Sequence, residues 1–520
     1  TFQQDHTLTY SRDFSSGHHI TAMIGFSTLY HYTEGINGNR TDTSLNIPDN
    51  PNFWYLNVAQ QSNPGTYGGN AAEDASTSFM GRINYTYKGK YLLNVTYRRD
   101  GTSKFSPEHQ WGNFGSVGAG WVMSDEDFMR DISWLNFLKL KASWGTVGNG
   151  LNIGNYLSYP ALNNSNVGIF GENIYPSVVP AYIPDPNLHW ETVEGRDAGL
   201  EAQLFNNRLN LSIDFYDRKT HDILTTITLP GASGNTNYFT NLGTIDNKGI
   251  EITAGWNGKL GPNFTYAING NFSTNKNEVV SIGDNINFQI VGNSGANLTR
   301  SGESIGYFYG YQQTGIYQTT AQLDKSPHMS AAAPGDIAFK DVNGDGKIDQ
   351  NDRTYLGSPF PKYNFGGSVS LGYKNFDFEV DAQGVAGNKI YVQRRTATFA
   401  TLNYEANRLN AWTGAGTTNV EPIMDNTRSI NYLFSNYWLE PGDYLRLRMV
   451  QLGYTFNTHI LKGSGTQSLR VYLSGQNLVT LTRATGYSPE VPISNPVSAG
   501  ADNGVYPLPA IYSFGVNLTF

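Results

Sequence analysis

The sequence predicts an all-β fold, a transmembrane antiparallel up-and-down β-barrel. Three observations carry that prediction. Apolar residues recur with period two: Leu209, Leu211, Ile213 and Phe215 alternate with Asn210, Ser212 and Asp214, which puts every apolar side chain on one sheet face. Tight turns and very long loops both connect the segments, the layout of a barrel with turns at one rim and loops at the other. Charged residues make up 15% of the 520 and aromatics 13%, with 33 Tyr and 27 Phe. Ordinary soluble domains are about 25% charged, and Tyr and Trp gather at the two membrane–water interfaces.

Composition excludes several other classes. No run of about 18 apolar residues offers a helical span, and a chain this aromatic is not disordered. The net charge of -8, from 35 Lys+Arg against 43 Asp+Glu, without basic clusters, argues against a nucleic-acid partner. The absence of Cys removes disulfides, thiol catalysis and Cys-based zinc sites. The chain opens on Thr1-Phe2-Gln3-Gln4, with neither initiator Met nor apolar signal, and reads as a mature or cut fragment.

In chain order, strands are expected near 5–12, 18–30, 76–87, 90–98, 113–122, 136–147, 195–205, 208–218, 246–256, 263–275, 310–317, 364–373, 376–385, 445–456, 468–477 and 511–520. The alternation is plain in Ile83-Asn84-Tyr85, in Phe376, Phe378 and Val380, and in Tyr512, Phe514, Val516, Leu518 and Phe520. Lys88-Gly89, Asn206-Asn207, Lys374-Asn375 and 257–262 supply tight turns; 31–75, 148–194, 219–245, 318–362, 387–443 and 478–509 are the long connections. The stretch 125–138 is the best short helical candidate. Consistent sidedness of these 16 strands needs one more crossing within 276–309, placed at 285–291. Every long loop then lies outside the cell, and the C-terminal Phe520 lies on the short-turn, periplasmic side.

The sharpest local motif is the twelve-residue stretch 341–352 within the loop 318–362. It offers oxygen donors from Asp341, Asn343, Asp345 and Asp349, a backbone carbonyl from Lys347 and a terminal carboxylate from Asp352, with Gly346 at the turn. That is the spacing of a calcium loop; an Asx-rich turn without metal has the same composition. A structural Ca2+ that stiffens the loop is the expected cofactor. Asp377, Glu379 and Asp381 form a row suited to a polar permeation path, or simply to a solvated inner face. Trp54, Trp412 and Trp438, with Phe53, Tyr55 and Tyr437 beside them, suit stacking on sugar rings or ordinary packing. His18 and His19 alternate faces and cannot pair on a metal. Arg98-Arg99-Asp100-Gly101 reads as a strand end and turn, and the glycines of 145–150 open no helix that would seat a phosphate. No catalytic constellation is visible, so the chain is read as a non-enzyme.

Three longer segments carry a resemblance. They are "YRRDGTSKF" at 97–105, "PNLHWETVEGRDAGLEAQLFNNRLNLSIDFYDRKTHDIL" at 186–224 and "PGDIAFKDVNGDGKIDQNDRTYLGSPFPKYNFGGSVSLGY" at 334–373. With the terminal "YSFGVNLTF", which looks like an outer-membrane assembly signal, they resemble the SusC/RagA family of TonB-dependent outer-membrane transporters from about residue 80 onward. The resemblance implies a barrel of roughly 22 strands, of which 1–520 would be the C-terminal part. It also implies a plug and TonB-box segment that this chain does not contain. The missing staves would come from a second polypeptide or from the rest of a longer chain. The resemblance further implies a SusD-like surface lipoprotein as lid, TonB acting on the plug, outer-membrane lipid around the wall, and import of oligosaccharides or peptides. The competing expectations are a passive adhesin or docking barrel, and a secreted calcium-stabilised β protein that binds glycans.

Overall fold

The computed structural model describes residues 1–39, 66–150, 153–228, 237–283, 290–292, 295–398, 405–456 and 467–520. Fifteen strands follow one another through a single antiparallel sheet. They are β1 (Phe2–Phe14), β2 (His18–Asn39), β3 (Thr66–Tyr87), β4 (Tyr91–Thr102), β5 (Trp111–Val122), β6 (Leu135–Asn149), β7 (Glu191–Leu204) and β8 (Leu209–His221). Then come β9 (Thr244–Leu260), β10 (Phe264–Thr274), β11 (Tyr363–Tyr373), β12 (Phe376–Ala386), β13 (Tyr444–Thr455), β14 (Ser468–Thr482) and β15 (Ile511–Thr519). A sixteenth strand, Lys276–Ser281, pairs with the start of β9 beyond the end of β10. Each neighbour on the main path is the next barrel strand in sequence, so the sheet is an up-and-down meander. Among the described residues β1 and β15 are its two edges, and nothing pairs one with the other.

The alternation works as expected because one face must be apolar and the other polar. Across β10 to β13, Ile268 sits opposite Val369, Val369 opposite Val380, and Val380 opposite Val450. One residue along, Asn269, Ser368 and Asp381 form the corresponding row on the other face. The apolar face is uncovered: Ile268 is 49% exposed, Leu473 61% and Phe514 70%. A soluble domain does not leave a continuous apolar face to water; a membrane barrel needs one. Aromatic pairs ring the short-turn rim, among them Tyr87–Tyr91, Trp134–Phe205–Trp256 and Phe376–Tyr454, at the level where amphipathic rings meet headgroups.

Three readings of the sequence are corrected. First, 310–317 is not a barrel strand. Tyr307–Gly310 pairs with Thr354–Gly357, and Gln313–Ile316 pairs with Ile337–Phe339, both outside the main sheet. Period-two patterning marks a strand, but not which sheet it joins. Second, β10 pairs directly with β11 from Phe264↔Tyr373 to Thr274↔Tyr363. No crossing therefore intervenes within 276–309. The proposed crossing at 285–291 falls largely outside the described residues, and Ile290–Gly292 pairs locally with Asn297–Thr299. Losing two crossings leaves parity unchanged, so the long loops still share one rim and Phe520 lies at the other. Third, 125–138 is not a helix. Met123–Asp125 and Asp127–Met129 are single 3₁₀ turns, and β6 starts at Leu135, where it already pairs with β7 ahead of a register shift between Leu135 and Phe137.

The described residues of 275–362, 387–443 and 483–510 do not stay separate. They build a module at the long-loop rim with its own core, in which Phe308, Ile316, Ile337 and Trp438 are at most 1% exposed. Tyr311, Phe339, Tyr391 and Ile430 belong to the same core, and Ala501 packs on it.

Candidate functional site

The polar face of the sheet is the first part of the site. Asp377, Glu379 and Asp381 occupy successive inner positions of β12, opposite Gly372, Ser370 and Ser368. Asp377 forms a bidentate ion pair with Arg470 of β14, reaching across β13 over Gly453. A side chain at Gly453 would strike both partners within 2.6 Å, so this glycine permits the bridge. Gly199 does the same for Lys141 and Asp214: Lys141 lies 2.8 Å from Asp214 and 3.1 Å from Glu201, which also meets Lys139 at 2.9 Å. Between the β9 and β13 walls a cavity of about 500 Å³ is lined by Asn269, Asn271, Ser368, Asp381, Gln383 and Arg448. Its polar side chains are amides and hydroxyls, with one charge of each sign. Such a wall offers hydrogen bonds to polar solutes.

The second part is the loop module over that wall. Trp438 is fully buried and its indole N–H donates to the Leu433 carbonyl at 3.2 Å. The expectation that it stacks on a sugar is corrected: its ring has no open face because three loops close over it. Trp412 is half-buried, packs against the same core and donates to Gln318 Oε1 at 3.2 Å. Trp54 lies outside the described residues. Long-range polar contacts, none visible in the sequence, tie the module together. Asp336, 0% exposed, accepts from Asn431 Nδ2 at 3.0 Å and lies 3.3 Å from Arg428. Burial pushes its carboxyl up, against the pull of the Ala333 N–H and the Arg428 guanidinium. Arg395 bridges Glu405 at 2.7 Å and Glu440 at 2.6 Å. Glu490 reaches from 483–510 to the inner wall, where Arg446 and Tyr444 bind it.

The stretch 341–352 folds as a tight loop with Gly344 and Gly346 at φ +76° and +81°, a backbone region that favours glycine. Asp341 accepts the N–H groups of Gly344 at 2.7 Å and Gly346 at 2.9 Å. Asp345 accepts that of Lys347 at 2.9 Å, and Asp349 that of Asn351 at 2.7 Å. Asp352 is fully buried and takes the N–H groups of Val342 and Asp349, both at 2.8 Å. Burial raises its carboxyl, but these amides outweigh burial and hold it below the ordinary carboxylate range. Among the described residues no three His, Asp or Glu side chains converge as a metal cluster.

Comparisons with known proteins agree with this architecture. A family model described as "TonB dependent receptor-like, beta-barrel" matches residues 1–325. The TonB-dependent receptor P3 of Formosa agariphila is 32% identical over 99% of this chain and 52% of its own length. The TonB-dependent receptor SusC of Bacteroides thetaiotaomicron is 30% identical over 86% of this chain and 44% of its own. The chain thus spans about half the length of the curated relatives it matches. A solved structure of the RagAB peptide transporter superposes on the whole chain with a TM-score of 0.82 at 23% identity, covering 55% of that protein; this is a likeness of fold. The two-faced meander, the looped rim and these matches lead to one conclusion: the chain belongs to the TonB-dependent receptor β-barrel family.

Proposed function

We propose that this chain forms much of the wall of an outer-membrane importer, with its long loops outside the cell and Phe520 at the periplasmic rim. One observation supports the reading above all: an uncovered apolar face and a polar face share a single sheet, with a packed loop module at its long-loop rim. The imported solute is an oligosaccharide or a peptide, captured with a SusD-like surface lipoprotein. The wall then acts by position: the amide-lined cavity and the Asp381 and Arg448 charges hold polar solutes by weak, replaceable hydrogen bonds. Energy comes through TonB acting on a plug carried by chain outside these residues. Deleting the whole gene should abolish growth on one glycan or peptide class and leave growth on monomers intact; unchanged uptake of every candidate oligomer would overturn the proposal.

The stretch 341–352 is proposed to bind calcium. Asp341, Asn343, Asp345, Asp349 and Asp352 would hold it with the Lys347 carbonyl. The donor set is all oxygen, which suits a hard cation. The oxygens that accept N–H groups keep a second lone pair. Bound calcium would stiffen the loop. Millimolar calcium should raise the melting temperature of the purified protein, and Asp341→Ala with Asp345→Ala should remove that increment; a flat calcium titration sinks this assignment.

A further inference from the structure

On the outer face of β1 to β4, one row holds Leu8, Ile24, Gly81 and Tyr97; the next toward the long-loop rim holds His6, Phe26, Phe79 and Arg99. Gly81 does not take a positive φ. Apart from its chain neighbours, a Cβ there would meet nothing closer than the Met23 carbonyl oxygen at 3.9 Å. Neither backbone nor crowding therefore demands glycine, which weakens a strand interior and often marks close approach by another molecule. The missing side chain leaves an apolar groove of about 600 Å³ walled by Leu8, Ile24, Phe26, Phe79 and Tyr97. Beside it Phe26, Phe79 and Trp111 form a run of rings 5.3 and 6.2 Å apart, and the exposed Arg99 guanidinium lies 5.1 Å over Trp111. Its neighbour Arg98 faces the other way and meets Asp100 at 2.6 Å; among the described residues Arg99 makes no ion pair. Stacking uses the face of the guanidinium and leaves its N–H edge, the fork that takes phosphate bidentately.

Depth agrees with that chemistry. Tyr91, at the short-turn rim, and Arg99 lie eight residues apart in β4. At about 3.4 Å per residue and a tilt of about 40°, they differ in height by about 21 Å, close to the roughly 25 Å of an outer-membrane apolar band. Arg99 and Trp111 therefore sit at the far interface, among headgroups, with the groove just below them among acyl chains. We propose that this surface binds one anionic membrane lipid, its phosphate on Arg99 and an acyl chain laid over Gly81. The inference rests on the reading of this face as membrane-facing and does not depend on which solute is transported. A zwitterionic lipid carries its own ammonium beside its phosphate and gains less from Arg99.

The test titrates the full-length protein in non-ionic detergent with phosphatidylglycerol and, separately, with phosphatidylcholine, counting bound lipids by native mass spectrometry. Phosphatidylglycerol should be preferred by about tenfold at one site, as a charge-assisted contact supplies. Arg99→Gln should erase that preference and leave phosphatidylcholine binding as it was. Gly81→Leu, which fills the groove with Arg99 intact, should weaken phosphatidylglycerol binding by a similar factor. Because Arg99 is exposed, its variant keeps the test valid if the glycine variant misfolds. Excess inorganic phosphate should leave the lipid in place; displacement would mean a bare anion site and overturn the proposal. An undiminished preference in Arg99→Gln would overturn it too. Retention of neither lipid would overturn it by a different route, since that result sinks the membrane-facing reading itself.

Discussion

Glu126 binds three partners, two of which come from the far side of a strand hairpin. It accepts hydrogen bonds from Tyr91 Oη at 2.7 Å, Lys90 Nζ at 2.9 Å and Trp121 Nε1 at 3.1 Å. The Tyr91 hydroxyl contributes most to holding its carboxyl down to about 2, followed by Lys90 and Trp121. The folded value lies below the ordinary one of about 4.5. The carboxylate therefore stabilises the turn above that ordinary value and ceases to do so as pH falls toward 2. The melting difference between wild type and Glu126→Gln should be constant from pH 7 to 5 and close between about 4.5 and 2; a difference persisting below pH 2 contradicts the assignment. Residues of this kind were illegible because such contacts depend on the fold: Lys90 and Tyr91 reach Glu126 from 36 and 35 residues away. The same is true of Trp438, where composition alone could not separate a ring for stacking from a ring for packing. By contrast, Asp377, Glu379 and Asp381 were legible as an inner row, because alternation alone fixes their face.

Within an element, what matters is which face a residue takes. Ile268 and Asn269 are neighbours in β10, yet one belongs to a membrane row and the other to a polar one. Ile268→Arg should cost about 2–4 kcal/mol near mid-depth. Ser368→Arg, opposite Asn269 on the polar face, should be close to neutral. Urea unfolding of the two variants in lipid bilayers separates the cases; equal costs would mean that both faces see the same medium. Strands were legible wherever lipid lay on one side and water on the other, since that contrast writes period two into the sequence. It failed at Tyr307–Gly310 and Gln313–Ile316, whose buried residues belong to a loop core. There the apolar residues answer to neighbours from other loops and not to a membrane, so their spacing does not identify the sheet they join.

Over the whole molecule, parity was the most durable expectation. Two misplaced crossings cancelled, and every long connection stayed at one rim. The module at that rim was not foreseen at all. Its core takes Phe308 and Ile337 from 275–362 and Tyr391 and Trp438 from 387–443, and Ala501 from 483–510 packs on it. Irregular segments carry no period, so nothing in the sequence announces that three of them share an interior. Their separation along the chain also sets a timetable. The core cannot close until β11 to β14 have been laid down and the last of its three contributors has crossed, and closing contacts between such distant residues is intrinsically slow. Assembly of this protein should therefore finish at the long-loop rim, with the cap setting only after the staves beneath it are in place.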